Sequence, residues 1–205
     1  MKKVHTQIEQ LIARKKPGAL IFPTDFRGLG TETAIKQALF RMVRNGMIRR
    51  LTHGIYYTPK KDEILGELIP GVEEVAAMIA KKERVHIVPS GADAMNRLGL
   101  STQVPLKLVY LTDGPPRKFK VGNLEVRFKA TTPKRVSRKG KISSLVILAL
   151  EETNLQQMDD LTKNKIKRLL EQEDPQKLKH DLSLAPVRVN DFIVNLFKFD
   201  TTMLK

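Results

Sequence analysis

The stretch "TETAIKQALFRMVRNGMIRRLTHGIYY", Thr31 to Tyr57, decides how the N-terminal part of this chain is read. Thr31 is a natural N-cap, and Glu32 suits the first turn of the helix behind it, where a carboxylate meets the positive end of the backbone dipole. The spacing predicts a helix over about 33–45, with Ile35, Ala38, Leu39, Met42 and Val43 on its inward face. The opposite face carries Thr33, Lys36, Gln37, Phe40, Arg41 and Arg44. Hydroxyls, an amide and long cations on one exposed helix face are the groups that reach base edges and phosphates in a major groove. Phe40 breaks the polar pattern, and two roles are open to it: touching a thymine methyl, or packing under a neighbouring element. Asn45-Gly46 ends the helix. Thr52-His53-Gly54 then supplies a turn between β-favouring residues, so a hairpin follows. Ile48-Arg49-Arg50-Leu51 does not alternate cleanly, so the sequence sets no regular register for it. Two adjacent arginines beside a tight turn suit a hairpin laid along a polyanion better than a core strand. Tyr56 or Tyr57 anchors this wing, and one of the two is expected to close the small core.

Upstream, Val4, Ile8, Leu11 and Ile12 recur at helical spacing, predicting a first helix to about Lys16 that Pro17-Gly18 stops. "ALIF" (19–22) reads as a short strand, and Pro23-Thr24-Asp25-Phe26 opens a short second helix ending near Gly28-Leu29-Gly30. Helix, strand, helix, helix, hairpin is the order of a winged helix-turn-helix, in which the third helix enters the groove and the wing follows the backbone. On this reading Thr33, Lys36, Gln37, Arg41 and Arg44 read or flank bases of duplex DNA, while Arg49, Arg50 and His53 clamp its backbone.

Charge supports an acidic partner. The formal net charge is +15, and nucleic acid is the commonest partner of such an excess; a merely solubilising basic surface is the plainer alternative. Residues 1–58 hold 11 Lys+Arg against 3 Asp+Glu, or +8, and residues 117–141 hold 10 against 1, or +9. Residues 151–174 reverse the sign, with 7 acids against 4 bases. No apolar run approaches the length of a membrane span, so no membrane partner is expected, and "MKKVHTQIEQ" lacks the apolar core of a secretory signal. The absence of cysteine removes disulfides, thiol nucleophiles and thiolate ligands, and suits a cytoplasmic protein. Histidines 5, 53, 86 and 180 show no metal-ligand spacing, and neither a metal nor a cofactor is expected.

"TPKKDEILGELIPG" (58–71) reads as a boundary, giving a DNA-binding domain over 1–58, a linker over 59–71 and a C-terminal domain over 72–205. A helix is expected over 73–84 and a strand over 85–88, in which His86 is a core or edge residue. In "PSGADAMNRLGLSTQVP" (89–105) Ser90 should cap a helix whose Gly91, Ala92 and Ala94 permit close packing, with Gly99 at its end. "KLVYLTDG" (107–114) is a strand and turn. Residues 118–121 and 124–128 form a hairpin around Gly122-Asn123, with Phe119, Val121, Val126 and Phe128 on one face and cations on the other. Three readings are open for the basic tail 134–141: a solvated loop, a second phosphate contact, or a dock for an acidic protein surface. Residues 143–153 form a buried helix. A second helix carries Leu161, Leu169 and Leu170 up to Asp174-Pro175. A last helix after Pro186 bears the stripe Val189, Phe192, Ile193, Leu196 and Phe197, which packs on the core or forms a partner groove. The fold class is α+β: an N-terminal winged helix-turn-helix followed by a mixed α/β domain.

"PSGADAMNRLGLSTQVP…KLVYLTDGPPRKFKVGN" resembles the AbiEi-type antitoxins of bacterial abortive-infection toxin–antitoxin operons, and "FPTDFRGLGTETAIKQALFRMVRNGMIRRLTHGIYY" resembles the winged-helix half of the same family. The resemblance spans about residues 4–150 and is weaker beyond. It implies a winged helix that binds operator repeats and represses its own operon, and a C-terminal domain that opposes a toxin with a nucleotidyltransferase-like fold. Ser90 to Gln103 carries over as a family hallmark with a structural role, and Phe40 departs from the small polar residue of the family pattern. The alternative is a stand-alone winged-helix transcriptional regulator without a toxin. An enzyme is not expected: Asp113 and Glu125-Val126-Arg127 only superficially match the carboxylate pattern of restriction-type nucleases, because arginine cannot replace the lysine that ends it. No nucleotidyltransferase signature or phosphate-binding glycine loop occurs.

Overall fold

The computed structural model describes residues 4–103 and 107–198. Lys2, Lys3, and the Val104-Pro105 end of the motif at 89–105 lie outside the described residues. The chain forms two compact units, Met1–Ile79 with Phe119–Leu124, and Ala80–Lys118 with Glu125–Lys205.

In the first unit, α1 (Val4–Ala13) is followed by β1 (Leu20–Ile21), a single 3₁₀ turn (Pro23–Phe26), α2 (Glu32–Arg44), β2 (Arg49–Thr52) and β3 (Ile55–Tyr57). The three strands form an antiparallel sheet in the order β1-β3-β2. This is the connectivity of a winged helix, with the expected second helix reduced to the 3₁₀ turn. Apolar spacing explains the core: Ile8 and Ile12 of α1 meet Phe26 and Ile35, Leu39 and Met42 of α2, all buried. Gly30 is required where α1 and α2 approach, because a Cβ there would lie 2.7 Å from Val4 Cγ2. Thr31 caps α2 by accepting a hydrogen bond from Ala34 N at 3.2 Å. At the other end Gly46 adopts φ +74 and Met47 N donates to Met42 O, which reverses the chain into the wing. The irregular alternation at 48–51 has a physical cause, a register shift between Arg50 and Thr52 that bulges the strand.

The stretch 59–71, expected as a linker, is folded. Strands β4 (Lys60–Asp62) and β5 (Gly66–Leu68) pair as a hairpin, closed by Asp62 Oδ1 accepting from Ile64 N and Leu65 N at 2.9 Å. The division between units falls inside the next helix, α3 (Val72–Glu83), rather than before it.

After α3, β6 (Ile87–Pro89) leads to α4 (Gly91–Arg97), then β7 (Lys107–Thr112), β8 (Arg117–Val121) and β9 (Leu124–Ala130), the second unit taking up this stretch apart from Phe119–Leu124. The sheet order is β6-β7-β9-β8, with β6 antiparallel and β9 parallel to β7. Tyr110 and Phe128, register partners on β7 and β9, meet edge to face at 6.0 Å. After α5 (Pro133–Val136) comes α6 (Lys141–Glu151), whose Val146 to Leu150 are all buried. Around it pack α7 (Asp160–Leu170), α8 (Pro175–Ser183) and α9 (Val187–Lys198). Within the last of these, Val189 and Ile193 are buried and Phe192, Leu196 and Phe197 pack partly buried on the same core. Asp174-Pro175, expected to close a helix, lies at the opening of α8. Here it is a start: Asp174 accepts from Gln176 N and Lys177 N at 2.9 and 3.0 Å, with Pro175 at the first helical position.

Residues 90–103 are held by close packing and hydrogen bonds. A Cβ on Gly91 would sit 2.6 Å from Leu148 O, so α4 and α6 approach at a distance only glycine allows. Ser90 occupies the N-cap position but makes no capping bond; Gly91 N donates instead to Glu152 Oε1 at 3.2 Å. Asn96 Nδ2 donates to Gln103 O at 3.1 Å and Ser101 O at 3.4 Å, bracing the loop after Gly99, whose φ is +63.

Candidate nucleic-acid interface

Burying Ile35, Ala38, Leu39 and Met42 leaves Thr33, Lys36, Gln37, Phe40, Arg41 and Arg44 on the exposed side of α2. The wing then stands beside this face. Between them runs an open groove of about 360 Å³. Thr33, Lys36, Gln37 and Phe40 line it from α2, and Arg50, His53 and Tyr56 line it from the wing. Five of the eight residues assigned to DNA contact from the sequence thus converge on one concavity. Arg41, Arg44 and Arg49 lie outside its lining.

The electrostatics differ residue by residue. Arg41 and Arg44 are exposed and make no ion pair among the described residues. Arg50 Nη2 lies 3.2 Å from His53 Nδ1, which orients the guanidinium across the turn without neutralising it. Lys36 pairs with Glu32 one turn earlier at 2.6 Å, and this bond holds the Glu32 carboxyl below its usual range. Such a surface pair is easily exchanged for a phosphate. Arg49, expected as a backbone clamp, is engaged within the chain. Its Nε and Nη2 donate to both oxygens of Glu67 on β5 at 2.9 and 3.0 Å, and Nη1 donates to Gly46 O at 3.2 Å. This bidentate geometry is the strong form of the arginine–carboxylate pair, and it keeps Arg49 on its own chain.

The two tyrosines divide their tasks. Tyr57 is buried and closes the sheet, and burial, with help from the Glu67 carboxylate, pushes its phenol up. Tyr56 is half-buried and reaches the groove. Phe40 does not pack under a neighbouring element; it is 62% exposed.

The second basic block behaves otherwise. Arg117 pairs with Glu83, Lys118 and Arg127 share Glu125, and Arg135 and Arg138 share Glu151. Lys118 and Arg127 together hold the Glu125 carboxyl below its usual range. The Arg138 side chain is fully buried, and Nε and Nη1 find no hydrogen-bond partner among the described residues. The backbone after it is pinned by Asp181, which accepts from Lys139 N at 2.7 Å, Gly140 N at 2.9 Å and Ser143 Oγ at 2.7 Å. Glu173 accepts from Ile142 N at 2.7 Å and Ser143 N at 3.1 Å, so carboxylates occupy the positive end of α6. A plain solvated loop does not describe this tail.

Elsewhere, His86 is an exposed edge residue whose ring Nδ1 lies 2.7 Å from Asp113 Oδ2, while its backbone N donates to Oδ1 at 2.7 Å. The His86 ring and backbone hold Asp113 below its usual range. Among the described residues no group of three or more His, Asp or Glu side chains is placed to hold a metal ion. No helix among them is long and apolar enough to cross a membrane.

The fold and the groove define a winged helix-turn-helix protein with a second, α+β unit. Over residues 7–178 the chain matches the Family of unknown function (DUF6088), and it belongs to that family. It is also similar to the Crossover junction endodeoxyribonuclease RuvC of Chlorobium chlorochromatii (strain CaD3), with 30% identity over 98 residues covering 46% of this chain and 51% of that protein. The chain therefore spans about half the length of the curated relative it matches.

Proposed function

We propose that this protein is the antitoxin and autorepressor of a bacterial toxin–antitoxin operon of the abortive-infection, AbiEi type. The winged helix binds double-stranded operator DNA, and the second unit opposes a nucleotidyltransferase-like toxin. The observation that carries the DNA half is the exposed α2 face meeting the wing at one groove, with Lys36, Arg50 and His53 on its walls. A ridge of sugar and phosphate fits between a helix in the major groove and a wing beside it, and the unpaired Arg41 and Arg44 extend the cationic track. The antitoxin half rests on the resemblance carried by Ser90 to Gln103 and the strands after it.

Binding of the chain to duplex DNA from upstream of its own gene should weaken linearly in log affinity against log salt, by about 0.9 per phosphate contacted. A slope near zero sinks the DNA reading. Co-expression with the neighbouring gene, scored by growth, tests the antitoxin half; growth arrest that this chain does not relieve leaves the stand-alone regulator as the reading.

The nuclease similarity supports a second reading, a structure-selective endonuclease acting on branched DNA. It predicts cleavage of a four-way junction in the presence of magnesium or manganese, lost on Asp113→Ala. Intact junctions after prolonged incubation with the wild type dispose of it.

A further inference from the structure

A single exposed phenyl ring is ordinary on a protein surface; the setting of Phe40 is not. It lies on α2 one turn beyond Gln37, on the same side of the helix, and both line the groove that Tyr56 and Arg50 close from the wing. Every other α2 side chain lining that groove is polar: Thr33, Lys36 and Gln37. Phe40 is 62% exposed, so most of it stays open to solvent. In a major groove the only apolar group on any base edge is the C5 methyl of thymine, and the side-chain amide that pairs with a base in two bonds pairs with adenine N6 and N7. An amide and a phenyl at a spacing of three residues therefore match one chemical surface, an A·T-containing step.

We infer that Phe40 is a specificity-determining residue that reads a thymine methyl, with Gln37 reading the adenine of the same or the adjacent pair. This rests on the DNA-binding reading above and goes beyond it by naming the base pair. A phenyl cannot hydrogen-bond at this turn, and it selects instead for the presence of a methyl group. The wing's Arg50 and His53 then hold the strand without reading its sequence.

The test uses the full chain. Duplexes are selected from a random pool, and in the enriched site each thymine is replaced singly by uracil, which removes the methyl and nothing else. Wild type should lose about three- to five-fold in affinity at one thymine, the loss expected for one buried methyl, and none at the others. Phe40→Ala, at an exposed position and so compatible with folding, should bind the thymine and uracil duplexes alike. Gln37→Ala should keep the thymine-over-uracil preference and lose its preference for the neighbouring A·T pair. Sequence-selective binding that is indifferent to uracil everywhere overturns this inference and leaves the DNA reading standing. A preference for thymine that survives Phe40→Ala overturns it too. Failure to enrich any duplex, together with a flat salt dependence, removes both.

Discussion

On α2 and its wing, Arg41, Arg44 and Arg50 are exposed and meet no carboxylate among the described residues. In residues 117–141, by contrast, all four arginines are met by glutamates: Arg117 by Glu83, Arg127 by Glu125, and Arg135 and Arg138 by Glu151. The two blocks carry +8 and +9 in the sequence, so charge alone does not separate them. Carboxylate placement does. Glu151 and Glu173 come from the acidic stretch 151–174, and they serve Arg135, Arg138 and the start of α6. A cation already paired in a low-dielectric setting has little to offer a phosphate, whereas an exposed one releases counterions on binding and gains affinity. One block leaves Arg41, Arg44 and Arg50 without a carboxylate among the described residues; in the other, glutamates hold all four arginines, and Arg138 is buried among them.

Removing the acid at the centre of the second block should have the largest consequence. Glu151→Ala leaves Arg138 charged, buried and unpaired, and should cost about 3–5 kcal/mol in urea unfolding. A loss below about 1 kcal/mol would mean that Arg138 reaches water, and the contrast between the blocks would weaken. Next comes Asp181→Ala, expected to cost about 2–3 kcal/mol because Gly140 N and Ser143 Oγ lose their acceptor. This site also sets an acid dependence. Burial pushes the Asp181 and Glu173 carboxyls up, but the hydrogen bonds from Ser143 and from backbone N–H groups outweigh it, and both end below their ordinary values of 3.8 and 4.5. Their stabilisation is complete above those ordinary values and is lost as pH falls through the lower folded ones. Asp181→Asn should flatten that acid limb in a pH series of unfolding curves; an unchanged limb would place the acid sensitivity elsewhere.

For the first block the effect is on binding. Arg41→Ala with Arg44→Ala should flatten the salt slope by about two and leave stability within about 0.5 kcal/mol, while Arg117→Ala with Arg127→Ala should leave the slope alone. A slope that responds to the second pair and not the first would invert the comparison. The smallest effect is expected from Glu67→Gln, which loosens Arg49 from its bidentate partner. It should steepen the salt slope by about one and tighten binding by roughly two- to three-fold at low salt. No change would show that Arg49 stays with Gly46 O and never reaches DNA.

Much of the first unit was legible because its signals are local. The cap at Thr31, the apolar face of α2, the stop at Asn45-Gly46 and the turn at Gly54 each depend on residues within one or two turns of chain, and all are found. The β4–β5 hairpin was not legible: three-residue strands in a charged, proline-bounded stretch carry no periodicity. Nor was α8, since Asp-Pro marks a start or an end depending on what the preceding chain does. The candidate site divides the same way. Helical spacing alone placed Thr33, Lys36, Gln37, Arg41 and Arg44 outward, yet it could not tell that Arg49 answers to Glu67, eighteen residues away.

Order in the chain settled the winged-helix connectivity and the face of α2 that stays wet, because backbone geometry and nearest-neighbour packing act over a few residues. Which cations remain available, which tyrosine closes the sheet, and why Gly91 must be glycine were settled by folding, since each depends on groups brought together from distant segments. A charge has no fixed meaning in a sequence; its worth is set by the partner and the dielectric that the fold puts beside it.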